Sequence, residues 1–185
     1  MLKVRFAAGL LTLGLATASW MSPPAAVAAS KAEINRDSSA ALAKLYESVP
    51  EAKALAANAR GILVFPSIVK AGFLVGAQYG EGVLYRRGAN SGYYNSVAAS
   101  YGLQVGVQSF GYVLLFMSDA ALAYLDKSEG FELGVGPSIV ILDAGKAKTL
   151  TTTTAKSDVY AFIFDQKGLM AGLGLQGSKI SRISK

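Results

Sequence analysis

The groups in this chain that could do acid–base chemistry are its carboxylates, because the sequence has neither histidine nor cysteine. Their absence excludes Ser-His and Cys-His nucleophile systems, thiolate metal sites and histidine-based zinc or copper sites. Two carboxylates at a fixed separation are still enough for glycoside hydrolysis. The candidate acids are Glu81, Asp119, Asp126, Glu129, Glu132, Asp143, Asp158 and Asp165. Nearly all adjoin turns or helix caps, so we interpret them as structural acids and predict no catalytic residue, metal site or cofactor.

Basic residues are the second set of side chains with a chemical use. The chain has 18 lysines and arginines against 12 acids. This mild excess suits attraction to anionic lipid head groups, whereas nucleic-acid binding is typical of a clustered basic stripe, so we predict no nucleic-acid partner. Arg86 and Arg87 stand together in a turn, where such a pair is usually only solvated. They would form an anionic-lipid site if Lys70, Lys167, Lys179 or Arg182 lay on the same side.

Most of the segments that must position these acidic and basic side chains are predicted β-strands that contain regularly spaced glycines. Residues 61–85, 101–117 and 159–177 combine β-forming apolar residues with glycines at regular spacing. Strand glycines remove side-chain packing and are typical of strong bends or of places where another surface comes close. The sequence therefore predicts a strongly curved sheet.

Helical periodicity occurs in three places. Residues 31–49 place apolar side chains on one face, which predicts an amphipathic helix. The sequence from Ser48 to Glu51 has the form of a capping box and predicts a second helix that runs through Ala59. Ser118 is expected to cap a short third helix over residues 119–127. Its predicted inward residues are Ala120, Leu122, Ala123 and Leu125.

The remaining segments predict strands joined by turns. Residues 86–92 have turn chemistry and connect the strand that ends at Tyr85 to a strand over 93–97. A further long strand, or two short ones broken near Ser109 to Gly111, is expected over 101–116. Other strands are expected over 131–142, 149–154 and 159–164, and a last hairpin joins 169–175 with 179–183. We predict an α+β fold with N-terminal helices packed on a curved, mostly antiparallel β-sheet or small barrel.

The amino terminus has the pattern of a secretory signal. Lys3 and Arg5 form the charged region, residues 6–18 the apolar region, and residues 26–28 a small-residue cleavage site. We predict a signal peptide over 1–28 and a single domain over 29–185, helical over 29–60 and β-rich over 61–185. An uncleaved anchor is the alternative, but its apolar run is shorter than the ~20 residues of a spanning helix. The expected location is the periplasm, peripheral to the envelope membrane.

Six short motifs follow one another along the chain: ARGILVFP at 59–66, KAGF at 70–73, GEGVL at 80–84, GYYN at 92–95, GLQVGVQ at 102–108 and KGLMA at 167–171. In this order they resemble the SYLF-domain family of lipid-binding proteins. The resemblance spans nearly the whole chain after the signal segment, and it points to the exported bacterial branch of the family.

The resemblance implies a lipid-binding domain without established enzymatic activity. Eukaryotic members bind phosphoinositides, and a yeast actin-patch relative binds actin. An N-terminal amphipathic helix takes part in their membrane attachment, which points to Lys31, Arg36 and Lys44 here and to Lys70 in the KAGF motif. Because phosphoinositides are scarce in bacteria, phosphatidylglycerol or cardiolipin is the expected ligand, and actin binding is not carried over.

Taken together, the sequence predicts non-enzymatic binding of anionic phospholipid at the bacterial cell envelope through an amphipathic helix and basic residues. The predicted lipid-binding residues are Lys31, Arg36, Lys44, Lys70, Arg86, Arg87, Lys167 and Lys179. Two alternatives stay open, a small outer-membrane β-barrel and a carboxylate-dependent envelope hydrolase. Assembly into a homo-oligomer also stays open.

Overall fold

Three helices and six strands make up the computed structural model, which describes residues 29–127, 131–132, 136–142, 157–168 and 178–185. The helices are α1 (Lys31–Ser48), α2 (Pro50–Ala56) and α3 (Asp119–Lys127). The strands are β1 (Gly61–Arg86), β2 (Ala89–Phe116), β3 (Phe131–Glu132), β4 (Ile139–Leu142), β5 (Val159–Gly168) and β6 (Lys179–Ile183). The predicted α+β class is confirmed. The predictions for residues 1–28, 149–154 and 169–175 fall outside the described residues.

Helix α1 forms where its periodicity predicts it and lies against the sheet. A capping box starts it: the Glu33 N–H donates to Ser30 Oγ at 3.2 Å, and the Ser30 N–H donates to Glu33 Oε2 at 2.8 Å. Ile34 and Leu45 are only 3% and 1% exposed. The apolar face of the helix is therefore packed inside the molecule.

The start of α2 differs from the predicted cap at Ser48. Ser48 is still the last residue of α1, and its hydroxyl donates to the Lys44 carbonyl at 2.9 Å. Val49 is the N-cap of α2 and makes no side-chain cap bond, while Pro50, which has no N–H to cap, occupies the first turn. The helix also ends at Ala56 rather than Ala59.

Strands β1 and β2 form one long antiparallel hairpin. Its turn is the pair Arg87–Gly88, with φ values of 51° and 78°. Two consecutive residues with positive φ match the twist of the flanking strands and allow a two-residue connection. The strand accordingly resumes at Ala89, and the predicted turn over 86–92 was too long.

The hairpin bends sharply about its middle, as the glycine spacing predicts. The pairing shifts register between Phe73 and Val75. The parts of β1 before and after this bulge come into contact on the inner side of the bend. A Cβ built on Gly80 would lie 2.7 Å from Ile68 Cγ1. Since no larger residue would fit there, glycine lets β1 fold back over itself, and the outer side of the bend is convex.

The other strands extend the sheet from the opposite edge of β2. The order is β3-β6-β2-β5-β4, with β1 also paired to β2. Residues 93–97 of β2 pair with β6 and residues 108–116 pair with β5, both antiparallel. Only β4 and β5 run parallel among the described pairs. The described strands form an open sheet, since no pairing joins β3 to β4.

Two apolar clusters hold these elements together. One lies inside the bend and includes α3, where Ala121, Leu122 and Leu125 are buried and the predicted Ala120 is exposed. The other lies between the outer side of the sheet and the helices α1 and α2. The predicted Ser118 cap is confirmed, because the Ala121 N–H donates to Ser118 Oγ at 3.2 Å. No helix in the described ranges combines the length and apolarity needed to cross a bilayer.

Candidate functional site

The convex side of the β1–β2 bend carries most of the exposed large apolar side chains. Seven such side chains are exposed in the described part of the chain, and six of them lie on this bend. They are Val69, Val75, Tyr79, Val97, Val105 and Val107, between 45% and 64% exposed. We call these six residues the bend face. A contiguous apolar surface of this kind is typical of an interaction site.

Strand pairing brings these residues to one side of the ribbon. Tyr79 pairs with Val97, and directly opposed residues of an antiparallel pair point the same way. Val105 and Val107 are two apart on β2 and therefore share a side. Ala71, opposite Val107, is also exposed. The exposed side chains that the structure describes on this side of the bend are thus mostly valine, alanine and tyrosine.

Several polar residues lie on the inner side of the same bend, beside the apolar cluster. Lys70, Gln78 and Gln108 are only 5%, 3% and 6% exposed. Lys70 pairs with Gln108, and Gln78 Nε2 donates to Ser178 Oγ at 3.3 Å. Polar-in and apolar-out is the reverse of the usual pattern of a sheet that faces water on one side. Lys70, predicted to contact lipid, therefore lies inside the protein.

Two of the predicted lysines flank the bend face on neighbouring strands. Lys167 on β5 pairs with Ser109, which in turn pairs with Val69. Lys179 on β6 pairs with Val97. Both lysines are exposed. The pairing therefore places one cation at each end of the apolar face, on the same side of the sheet.

Lys44 lies beside Lys167, at one of the two borders of the bend face. Its Nζ is 2.7 Å from Asp165 Oδ2, and Lys167 Nζ is 3.5 Å from the same oxygen. The hydrogen bond from Lys44 is the main cause that lowers the pKa of Asp165 below its ordinary value. One carboxylate thus holds two of the predicted lysines together while leaving a net positive charge.

The other border is held by an ion pair that involves the last residue of the sequence. Lys185 Nζ is 2.7 Å from Glu81 Oε2 and donates to the Ala29 carbonyl at 3.0 Å, which brings the start of α1, with Lys31, to this border. Tyr79 donates to Glu81 Oε1 at 2.7 Å. Burial acts to raise the pKa of Glu81, but the hydrogen bonds from Lys185 and Tyr79 outweigh it and lower the pKa. Partial burial and the bond to Glu81 raise the pKa of Tyr79 to about 12.

The remaining predicted residues lie elsewhere. Arg36 is exposed on α1 and pairs with its neighbour Asp37 at 2.8 Å. Arg86 and Arg87 lie at the hairpin turn, at the opposite end of the ribbon from the bend. Arg86 Nη2 donates to both carboxylate oxygens of Asp126, at 2.5 and 2.6 Å. The predicted set therefore divides into a bend group, a turn group, the exposed Arg36 on α1 and the buried Lys70.

Several of the described candidate acids have structural partners. Asp126 binds Arg86, and Asp158 accepts hydrogen bonds from Ser118 and Ser138. The Ser138 side-chain bond is the main cause that lowers the pKa of Asp158. In the parts of the chain that the structure describes, no three acids cluster as metal ligands would. These contacts tie α3 and β4 to the sheet.

Sequence reasoning missed the bend face itself. The alternation of Phe73, Val75, Ala77 and Tyr79 was visible, but a period of two shows only which residues share a side. It does not show which side is buried. The inward position of Gln78 and Gln108 is the feature that fixes the direction.

Comparison with known proteins adds one match. Residues 97–185 match a family model, Ysc84, described as "Las17-binding protein actin regulator". A search of curated proteins gave no match. The matched region begins on the bend face and runs through the strands that carry Lys167 and Lys179. The match agrees with the motifs noted in the sequence, and residues 97–185 are similar to the SYLF-domain (Ysc84) family.

Proposed function

We propose that this protein is a non-enzymatic, peripheral membrane-binding protein whose ligand is anionic phospholipid at the bacterial cell envelope. The observation that carries the proposal is the inverted bend. Its described outer side chains are mostly apolar and exposed, polar side chains are buried on its inner side, and lysines flank it. The family is a family of binding domains, which is consistent with a role in binding rather than catalysis.

Binding at this surface combines two free-energy terms. The valines of the bend face insert among the lipid head groups and leave water, while Lys167 and Lys179 neutralise phosphates. Each well-placed lysine contributes about 1 kcal/mol at an anionic surface, and salt screens this part. Tyr79 at the border has an apolar ring with a polar tip, which suits the head-group layer.

Helix α1 takes part while it stays packed on the sheet. Ile34 and Leu45 are buried, so their insertion would require the helix to leave the sheet and expose the core beneath it. We therefore assign to α1 the role of carrying Lys31 and Lys44 to the two borders of the bend face. Arg36, Arg86 and Arg87 are expected to add general attraction to an anionic surface and no direct contact at the bend.

The lipid and the location are part of the same proposal. Removal of residues 1–28 would deliver the domain to the periplasm, where phosphatidylglycerol and cardiolipin are the anionic phospholipids to consider. The family description names Las17 and actin, and neither enters the proposal.

Flotation of the purified protein with vesicles tests the proposal. We expect association with phosphatidylglycerol vesicles at low salt and little with phosphatidylcholine. The double variant Val75→Glu and Val107→Glu should lose association, because it places charge where lipid contact is proposed. Ile141→Glu is the matched control, since Ile141 is the exposed apolar side chain of β4, away from the bend. Equal flotation of both variants, or no flotation of the unchanged protein, contradicts the proposal.

A further inference from the structure

A groove of about 490 Å³ lies at the end of the hairpin that is opposite the bend face. Its walls are the second half of α1, the residues that follow α2, and the β1–β2 turn. Leu42, Tyr46, Ile62 and Tyr85 supply most of the larger apolar surface, and alanines and glycines fill the rest. The volume lies within the ~300–1,000 Å³ of ordinary small-molecule sites.

Two arginines line this groove, and neither is held in a close ion pair with a described carboxylate. The Arg60 side chain is 61% exposed, and its Nε lies 3.8 Å from the carboxylate of the exposed Asp119. Arg87 is exposed and makes no ion pair with any described residue. Arg86 is different, since its guanidinium already forms an ion pair with Asp126. The groove therefore joins an apolar lining to two guanidinium groups that can accept an anion.

Local structure holds both arginines at this end of the groove. The Arg60 N–H donates to the Phe116 carbonyl at 2.7 Å, which fixes the chain just before β1. Arg87 occupies the first position of the two-residue turn, with φ of 51°. Tyr85 Oη lies 3.4 Å from Ser39 Oγ and links the strand to α1 across the groove. The backbones that carry the two guanidinium groups are thus fixed before any ligand arrives.

We propose that this groove binds a single anionic amphiphile. The two guanidinium groups of Arg60 and Arg87 bind its carboxylate or phosphate, and its alkyl chain lies along Leu42, Tyr46 and Ile62. Charge complementarity selects this occupant, because an apolar peptide would bring no anion to either guanidinium group. The inference goes beyond the proposed membrane attachment, because the groove lies at the opposite end of the hairpin from the bend face. A groove that holds one amphiphile would let the protein carry a lipid molecule.

Calorimetric titration of the full protein tests this proposal, with ligands kept below their micelle concentrations. Dodecanoate supplies a carboxylate head, lysophosphatidylglycerol a phosphate head, dodecyl maltoside a neutral head, and inorganic phosphate a head without a tail. We expect one molecule of dodecanoate or lysophosphatidylglycerol per protein, and the preferred one identifies the head group. Dodecyl maltoside and inorganic phosphate should each bind more weakly than the preferred anionic amphiphile. Equal affinity for inorganic phosphate, or no binding of either anionic amphiphile, overturns the proposal.

Two variants separate the head-group contact from the tail contact. The change of Arg60→Gln with Arg87→Gln should weaken binding on the order of tenfold for each guanidinium removed. Ala43→Trp should block the groove, since Ala43 lines it from an exposed position on α1. Lys53→Gln with Lys127→Gln removes the same charge elsewhere and should leave affinity unchanged. Unchanged affinity in Ala43→Trp overturns the proposal even if the arginine variant fails to fold.

The test is independent of membrane attachment. The Ala43→Trp variant should still float with phosphatidylglycerol vesicles, because the bend face is intact. If the unchanged protein binds the amphiphile but does not float, the proposed membrane function fails alone. If it floats but binds no amphiphile, only the groove proposal fails.

Discussion

Gly72 and Gly76 meet backbone to backbone where β1 folds over: a Cβ placed on Gly72 would lie 2.5 Å from the Cα of Gly76 and 2.8 Å from the Val75 carbonyl oxygen. Neither neighbour is a side chain that can rotate away. This contact sets how tightly the ribbon turns, and therefore how far the apolar outer side projects.

The first prediction concerns this contact. Gly72→Ala should lower the free energy of unfolding by about 1–3 kcal/mol, because the added methyl group forces two backbones apart. Urea denaturation measures the loss. Gly61→Ala is the control, since its methyl group meets the end of the Leu122 side chain, which can move. Equal urea midpoints for the two variants would mean that the bend is not closely packed at Gly72.

The second prediction concerns the ion pair between Lys185 and Glu81, whose side chains are only 11% and 10% exposed. Lys185→Met or Glu81→Gln should each cost about 2 kcal/mol of stability, because a nearly buried partner loses its charge-assisted hydrogen bonds. The double variant should cost less than the sum of the two. Strict additivity in urea denaturation would show that the two side chains do not interact.

The third prediction is a loss of stability in acid. The pKa values of Glu81, Asp158 and Asp165 lie below their ordinary values of 4.5, 3.8 and 3.8. A carboxyl with a lowered pKa stabilises the fold above its unfolded pKa, and this contribution disappears as the pH falls through the folded pKa. Unfolding free energy should therefore fall from about pH 4.5 downward. Glu81→Gln should show a shallower fall, and an unchanged slope would contradict the assignment.

The fourth prediction separates charge from apolar contact at the bend. Lys167→Gln with Lys179→Gln should weaken binding to phosphatidylglycerol vesicles by about fivefold for each lysine at low salt. The difference should shrink as salt is added, because screening removes the same term. Lys53→Gln with Lys127→Gln removes two exposed lysines from α2 and α3 and serves as the control. Equal weakening by both pairs would show that only net charge matters.

The helices illustrate what sequence periodicity can supply. Helices α1 and α3 were predicted from their apolar spacing, and their bounds agree closely with the structure. The predicted cap of α2 was wrong, because the Ser48 hydroxyl donates a hydrogen bond within α1. The same S-x-x-E pattern does form a capping box at Ser30, where it starts α1. A pattern of four residues does not show whether its serine is already hydrogen-bonded within the preceding helix.

The bend shows what periodicity cannot supply. The glycines predicted curvature, and the hairpin was expected from its turn residues. The direction of the alternating side chains depends on contacts distant in sequence, such as Gln78 with Ser178. Lys44 and Lys167, which are far apart along the chain, come together at their shared Asp165. Their common position became visible once strand register and helix packing were known.

The most direct test of the central claim is the depth of the bend face in a membrane. The chain has no cysteine, so Val105→Cys, at the most exposed of the six positions, can be labelled at a single site with an environment-sensitive fluorophore. With phosphatidylglycerol vesicles we predict a blue shift and quenching by lipids that carry a nitroxide near the head group. The same label at Ala54→Cys, exposed on α2, should show neither. A label at residue 105 that keeps its aqueous spectrum while the protein floats, or one that shifts with protein concentration alone, would contradict the account.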